Sequence, residues 1–105
     1  MDLADMIYDL TEHFPLRELS GLAYQLRKSA VSIPSNIAEG SRRKTPGYIH
    51  HLVIALGSHA ELATQYELAA RRHFISAESR SSAESLIAEV GRLTHGLVRS
   101  LDPHI

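Results

Sequence analysis

Apolar side chains recur along this chain at steps of three and four and nowhere alternate with period two, so the pattern predicts helices and no strands. Leu3, Met6, Ile7 and Leu10 trace a short first helix, with Asp2 placed to cap its start. His13-Phe14-Pro15 ends it, because the residue before a proline is pushed out of the α region. A second helix runs from Pro15 or Leu19 to Glu39. Its apolar residues Leu19, Leu22, Leu26, Ala30, Ile33 and Ile37 fall at steps of 3, 4, 4, 3 and 4, one continuous stripe. Pro34 lies inside that stripe and predicts a kink, and Gly40 reads as the left-handed residue that closes the helix. Thr45-Pro46 marks a third helix, a capping hydroxyl followed by a proline in the first turn. It reaches about Arg72, with Ile49, Leu52, Ala55 or Leu56, His59, Leu62 or Ala63, Tyr66 and Ala69 on its main face. A fourth opens after Ser76, carries Ala83, Leu86, Ile87, Val90, Leu93, Leu97 and Leu101, and closes at Asp102-Pro103. Linkers this short force sequence neighbours to pack antiparallel. The expected architecture is all-α, one domain over residues 1–105, an up-down-up-down four-helix bundle.

Two helices carry more than a core stripe. On the second, Gln25, Ser29, Ser32, Asn36 and Glu39 form a polar seam at i, i+4, i+7, i+11 and i+14. The third has a similar row, His51, Ser58, Glu61 and Gln65. Facing one another, the rows could form a hydrogen-bonded network that fixes helix register. Ser32 and Asn36 also stand where they could satisfy backbone groups freed by Pro34. Further apolar residues lie off the core stripes: Tyr24, Val31 and Ala38 on the second helix, Ile54, Gly57 and Leu68 on the third. Extra apolar surface on two helices predicts a second buried face, most simply against copies of the same chain.

Composition narrows the chemistry. With no cysteine, disulfides, thiolate metal sites and cysteine nucleophiles are excluded. The amino-terminal residues MDLADMIYDL lack the basic start and apolar run of a signal peptide, and no apolar run approaches a membrane span, so a cytoplasmic protein is expected. The net charge of −1 argues against indiscriminate coating of nucleic acid, yet the charge is uneven. Residues 1–40 hold three basic and six acidic side chains, whereas residues 41–72 hold five basic and two acidic. The seven histidines show no i, i+4 pair of the kind zinc favours, and no nucleophile completes a catalytic constellation; no enzyme, cofactor or metal is expected. The strongest functional candidate is the basic run Arg42-Arg43-Lys44 in the turn between helices two and three. Arg27 and Lys28 lie mid-helix, and Arg71-Arg72 sits at the opposite pole. Such placement suits phosphate contacts spread along a surface. The same charges equally suit a solvated turn beside a helix end, and spacing alone does not choose.

The stretch FPLRELSGLAYQLRKSAVSIPSNIAEGSRRKT, followed by ALGSHAELATQYELA and the tail VGRLTHGLVRSL, resembles the four helix bundle protein family, the 23S rRNA-intervening sequence proteins. The accessory protein of diversity-generating retroelements is related to that family. The block from Ser32 to Gly40 carries most of the resemblance, which spans about residues 7–101. The resemblance implies a ring-shaped homopentamer whose basic surface serves nucleic acid, RNA or DNA, or an RNA-bound protein partner: a scaffold and not a reaction. It places Gln25, Ser32, Asn36, Glu39, Gly40, Ser58 and Glu61 at the family's polar positions, and Arg27 with Arg42 or Arg43 at its basic ones. Leu56 stands where an arginine is common, and His59 where an aliphatic residue is usual.

Overall fold

Each helix is apolar on one side, and the four sides close on one another. The computed structural model describes residues 1–102 and, among them, forms four α-helices and no strand. These are α1 Asp2–Thr11, α2 Leu22–Ser41, α3 Thr45–Arg71 and α4 Ala77–Leu101, with a single 3₁₀ turn at Leu16–Glu18. Cross-helix contacts set the directions. Ser32 meets Ser58 while Asn36 meets His51, so α2 and α3 run antiparallel. Tyr66 meets Glu84 and His59 meets Ile87, which fixes α4 antiparallel to α3. Arg27 reaches back to Thr11, whereas the start of α1 lies beside Ile33 and Pro34, so α1 is antiparallel to α2. The result is an up-down-up-down bundle of 43 × 24 × 18 Å.

Ile7, Leu26, Leu52, Leu62 and Val98 are the largest fully buried side chains, each worth about 1.5–3 kcal/mol of removed apolar surface. Small residues (Ala23, Ala30, Ala55 and Ala69, all fully buried) let the axes approach between them. α1 has ten residues, about 15 Å at the α-helical rise, half the length of α2. Its start leaves an apolar cleft of about 210 Å³ among Ile33, Ile37, Val90 and Leu93.

Several boundaries differ from those read in the sequence. α2 begins at Leu22, after the 3₁₀ turn, so Leu19 is exposed and outside the stripe. Pro34 sits within an uninterrupted α2, and Asn36 Nδ2 donates to the Ser32 carbonyl at 2.9 Å in the turn around it. Gly40 does not close the helix, which continues to Ser41, and it has no positive φ. It is a close-approach residue: a Cβ there would stand 2.8 Å from His51 Cβ and 3.0 Å from Tyr48 Cδ1. Asp2 and Thr45 are first helical residues and not caps; Met1 and Lys44 occupy the cap positions without a side-chain bond. Ser76 does cap α4, accepting from the Ser79 amide. On α4, Leu93 is 65% exposed at the rim of the apolar cleft beside the start of α1, while Gly91, Thr94 and Val98 are buried. Asp102 is the C-cap of α4, and Pro103 lies outside the described residues.

Candidate nucleic-acid interface

The turn between α2 and α3 is built by two helix ends of opposite polarity. Arg42 occupies the C-cap of α2 and Lys44 the N-cap of α3, so cations fill the gap between last carbonyls and first amides. Arg42, Arg43, Lys44, Pro46 and Gly47, with Glu39, line one shallow cleft. Arg43 pairs with Glu39 on the preceding turn of α2. That hydrogen bond and charge hold the Glu39 carboxyl below the usual carboxylate range, with smaller help from His51 and Arg42. Gly47 lets the Arg43 stem lie flat: a Cβ there would meet Arg43 Cβ at 3.0 Å. Arg42 and Lys44 are exposed and make no ion pair among the described residues. The first turn of α3 has no side-chain cap; Pro46 has no amide and the Tyr48 amide bonds the Lys44 carbonyl, which leaves Thr45 and Gly47 to carry its uncapped amides. Unpaired cations, a neutralised carboxylate and open helix amides together make an anion-receptive surface.

Arg27 and Lys28 are not part of that cleft. Arg27 is half-buried; its Nε donates to Thr11 Oγ1 at 2.8 Å and its guanidinium lies 4.8 Å over the Tyr8 ring. Thr11 in turn donates to the Ile7 carbonyl, so Arg27 clasps the end of α1 to α2. Lys28 stays exposed beside Tyr8, Tyr24 and Val31 in a separate groove. Asp9 of α1 lines a different cleft, with Glu78 and Ser82 of α4. Arg71 and Arg72 lie at the far end of α3, and Arg71 pairs with Glu67.

The polar seam forms in part. Ser32 Oγ and Ser58 Oγ lie 2.7 Å apart, Asn36 Nδ2 is 3.2 Å from Ser32 Oγ, and Asn36 Oδ1 is 3.0 Å from His51 Nδ1. This chain of four side chains ties α2 to α3. Gln25 and Glu61 stay exposed and outside it, and Glu39 turns to Arg43 instead. Gln65 Oε1 is buried without a partner. Sequence reasoning missed the Tyr8–Arg27–Thr11 clasp, although an arginine adjacent to core Leu26 signals a cation at a helix boundary. It also missed that Gly91 receives the His59 ring, whose Nε2 lies 2.7 Å from the Ile87 carbonyl. No helix among the described residues is long and apolar enough to cross a membrane.

The family model described as 23S rRNA-intervening sequence protein matches residues 1–96, nearly the whole chain. No curated protein matches it.

Proposed function

Since the chain belongs to the 23S rRNA-intervening sequence protein family, we propose that it is a non-enzymatic scaffold that assembles with copies of itself, as a pentamer, and engages nucleic acid through the α2–α3 turn. The observation that carries this reading is the cleft at Arg42, Arg43 and Lys44, where Glu39 is already neutralised and the first amides of α3 are uncapped. Such a surface grips phosphate and reads no base edge, so RNA and DNA of any sequence are expected ligands. Arg27 is committed to the α1–α2 clasp, which leaves Lys28 as an accessory contact at most. Binding would titrate steeply with salt, at about 0.9 log units per log unit of salt for each phosphate neutralised on a duplex.

Fluorescence anisotropy with labelled single- and double-stranded RNA and DNA across a salt series tests it. Arg42→Glu/Arg43→Glu is expected to weaken binding at least tenfold while leaving the helical circular dichroism unchanged. Binding absent from the wild type, or indifferent to salt and to that double substitution, rejects the reading.

A second reading, a protein-interaction adaptor without nucleic-acid binding, is favoured by the acidic α1 and by the exposed apolar rows on α2 and α3. A protein partner whose retention survives nuclease treatment would support it.

A further inference from the structure

Among the described residues, most of the large exposed apolar side chains fall on two surfaces. One is a shallow groove along α1 and α2, where Tyr8, Tyr24 and Val31 are exposed and Ala4, Pro34 and Ala38 continue the lining. The other is the back of α3, a ridge of Val53, Ile54 and Leu68. Ile54, Gly57, Glu61 and Leu68 share one side of α3, turned away from fully buried Leu52, and a Cβ at Gly57 would meet nothing within 4 Å. Neither surface has a partner within the bundle. Contiguous exposed apolar surface of this kind on a soluble protein commonly marks an interaction site.

The two surfaces match in length and in charge. Tyr24 to Ala38 and Ile54 to Leu68 each span fourteen residue steps, about 21 Å along a helix axis. Each row contains one exposed charge with no ion pair among the described residues, Lys28 on the groove and Glu61 on the ridge. Glu61 stands midway between Ile54 and Leu68, so two ridges meeting about a two-fold axis would set Glu61 against Glu61. Two grooves would bring Lys28 close to Lys28. Groove against ridge places lysine near glutamate and apolar row on apolar row.

We infer that copies of this chain associate head to tail, the α3 ridge of one copy seated in the α1–α2 groove of the next, with Lys28 paired across the contact to Glu61 of the neighbouring copy. The contact is heterologous, so an open oligomer keeps one unused groove at one end and one unused ridge at the other until a ring closes. This rests on the assembly proposed above and names the surfaces that make it.

Two face-blocked variants test the inference, each substituted only at exposed positions. Lys28→Glu/Val31→Asp spoils the groove, and Ile54→Asp/Leu68→Asp spoils the ridge. In sedimentation velocity and native mass spectrometry each alone is expected to run as the 11.6 kDa monomer. Mixed, they are expected to form one-to-one dimers and nothing larger, because each supplies the face the other has lost. Independently, Lys28→Glu and Glu61→Lys should each weaken assembly at least tenfold, and the two together in one chain should restore it. A wild type that stays monomeric at every concentration overturns both this inference and the assembly it rests on. A wild type that assembles, with blocked variants that still assemble or that fail to combine on mixing, overturns the head-to-tail contact alone.

Discussion

At the scale of single residues, glycines in this chain do two kinds of work, and substitution separates them. Gly40 lies inside α2 with His51 Cβ and Tyr48 at van der Waals limits, so an added methyl has nowhere to go. His51 Cβ is tethered to its own backbone and cannot swing aside. Gly40→Ala is therefore expected to cost about 1–3 kcal/mol, the usual range for overpacking, despite the better helix propensity of alanine. Gly96 on α4 has open space around its Cβ direction, and Gly96→Ala should gain up to about 1 kcal/mol. Thermal unfolding reads both, at about 4–8 °C per kcal/mol for a domain of this size, and shifts of the same sign would refute the distinction. Gly91 resembles Gly40, since its missing side chain leaves the place filled by the His59 ring. Tyr66 supplies a pH dependence. Burial, then its hydrogen bond to Glu84, pushes its phenol up to about 12, against the ordinary value of 10.0. The folded state thus holds that proton more tightly than the unfolded chain. The stability contributed is fully present below pH 10, and is lost as the pH rises from there through about 12. The stability difference between wild type and Tyr66→Phe, measured by urea unfolding, should shrink over that window. A constant difference from pH 9 to the upper limit of folding would show that the phenol is not held as described.

At the scale of elements, the contact between α2 and α3 is part apolar stripe and part hydrogen-bonded chain. Ser32 and Ser58 face each other at 2.7 Å, and Ser58 is buried. Removing the Ser32 hydroxyl leaves that of Ser58 without its partner, removing the Ser58 hydroxyl leaves Ser32 Oγ with Asn36 Nδ2 alone, and removing both leaves an apolar contact between the two helices. Ser32→Ala or Ser58→Ala is expected to cost about 1 kcal/mol, and the double substitution no more than either alone, a coupling that a double-mutant cycle measures. Additive losses would mean that the two hydroxyls act independently. This seam was legible because polar residues at helical spacing on two neighbouring helices have few other ways to be satisfied. Its true membership was not: Arg43 stands one turn beyond Glu39 on the same helix, and the local i, i+4 pair wins. Helix ends were read less well than helix faces. Gly40 looks like a terminator and is instead passed through, while the end of α3 at Arg71, read to within a residue, is followed by His73, a non-glycine residue at φ 63°. There Phe74 donates to the Ala69 carbonyl and His73 to that of Ala70, and the Phe74 ring packs 5.4 Å from Phe14. Burial of Phe74 against another loop is a tertiary contact that local preference does not encode, and it sustains a left-handed histidine that sequence alone would not place. The cores of α2 and α3 were legible in outline because Leu26, Ile33, Leu52 and Leu62 repeat with one period. Leu93 was not, because its exposure depends on how far α1 extends beside it.

At the scale of the whole molecule, the net charge of −1 and a nucleic-acid-binding surface are compatible only if the charges are segregated. They are: α1 presents a row of acidic residues, and the α2–α3 turn gathers Arg42, Arg43 and Lys44 at one pole of a 43 Å rod. One such pole would be a weak ligand for a polyanion. With Arg43 already paired, it would neutralise about two or three phosphates, for a salt slope of about −2 to −3. In the assembly proposed above, copies joined head to tail around an axis along the helices would bring identical poles to the same rim. Every added copy would then contribute its own phosphate contacts, and once the first had bound, the others would act at high effective concentration. The groove-blocked Lys28→Glu/Val31→Asp variant keeps Arg42, Arg43 and Lys44 intact, but it loses the Lys28 charge and adds two acidic ones, so its lower affinity has two possible sources. The ridge-blocked Ile54→Asp/Leu68→Asp variant also adds two acidic residues but keeps Lys28, so it removes the lost lysine as a source. Both monomeric variants are expected to bind a labelled duplex at least tenfold more weakly than the assembled wild type, with a salt slope no steeper than one pole supplies. A monomeric variant that matches the wild type in affinity and slope would mean that the basic turn acts alone and that assembly serves some other purpose.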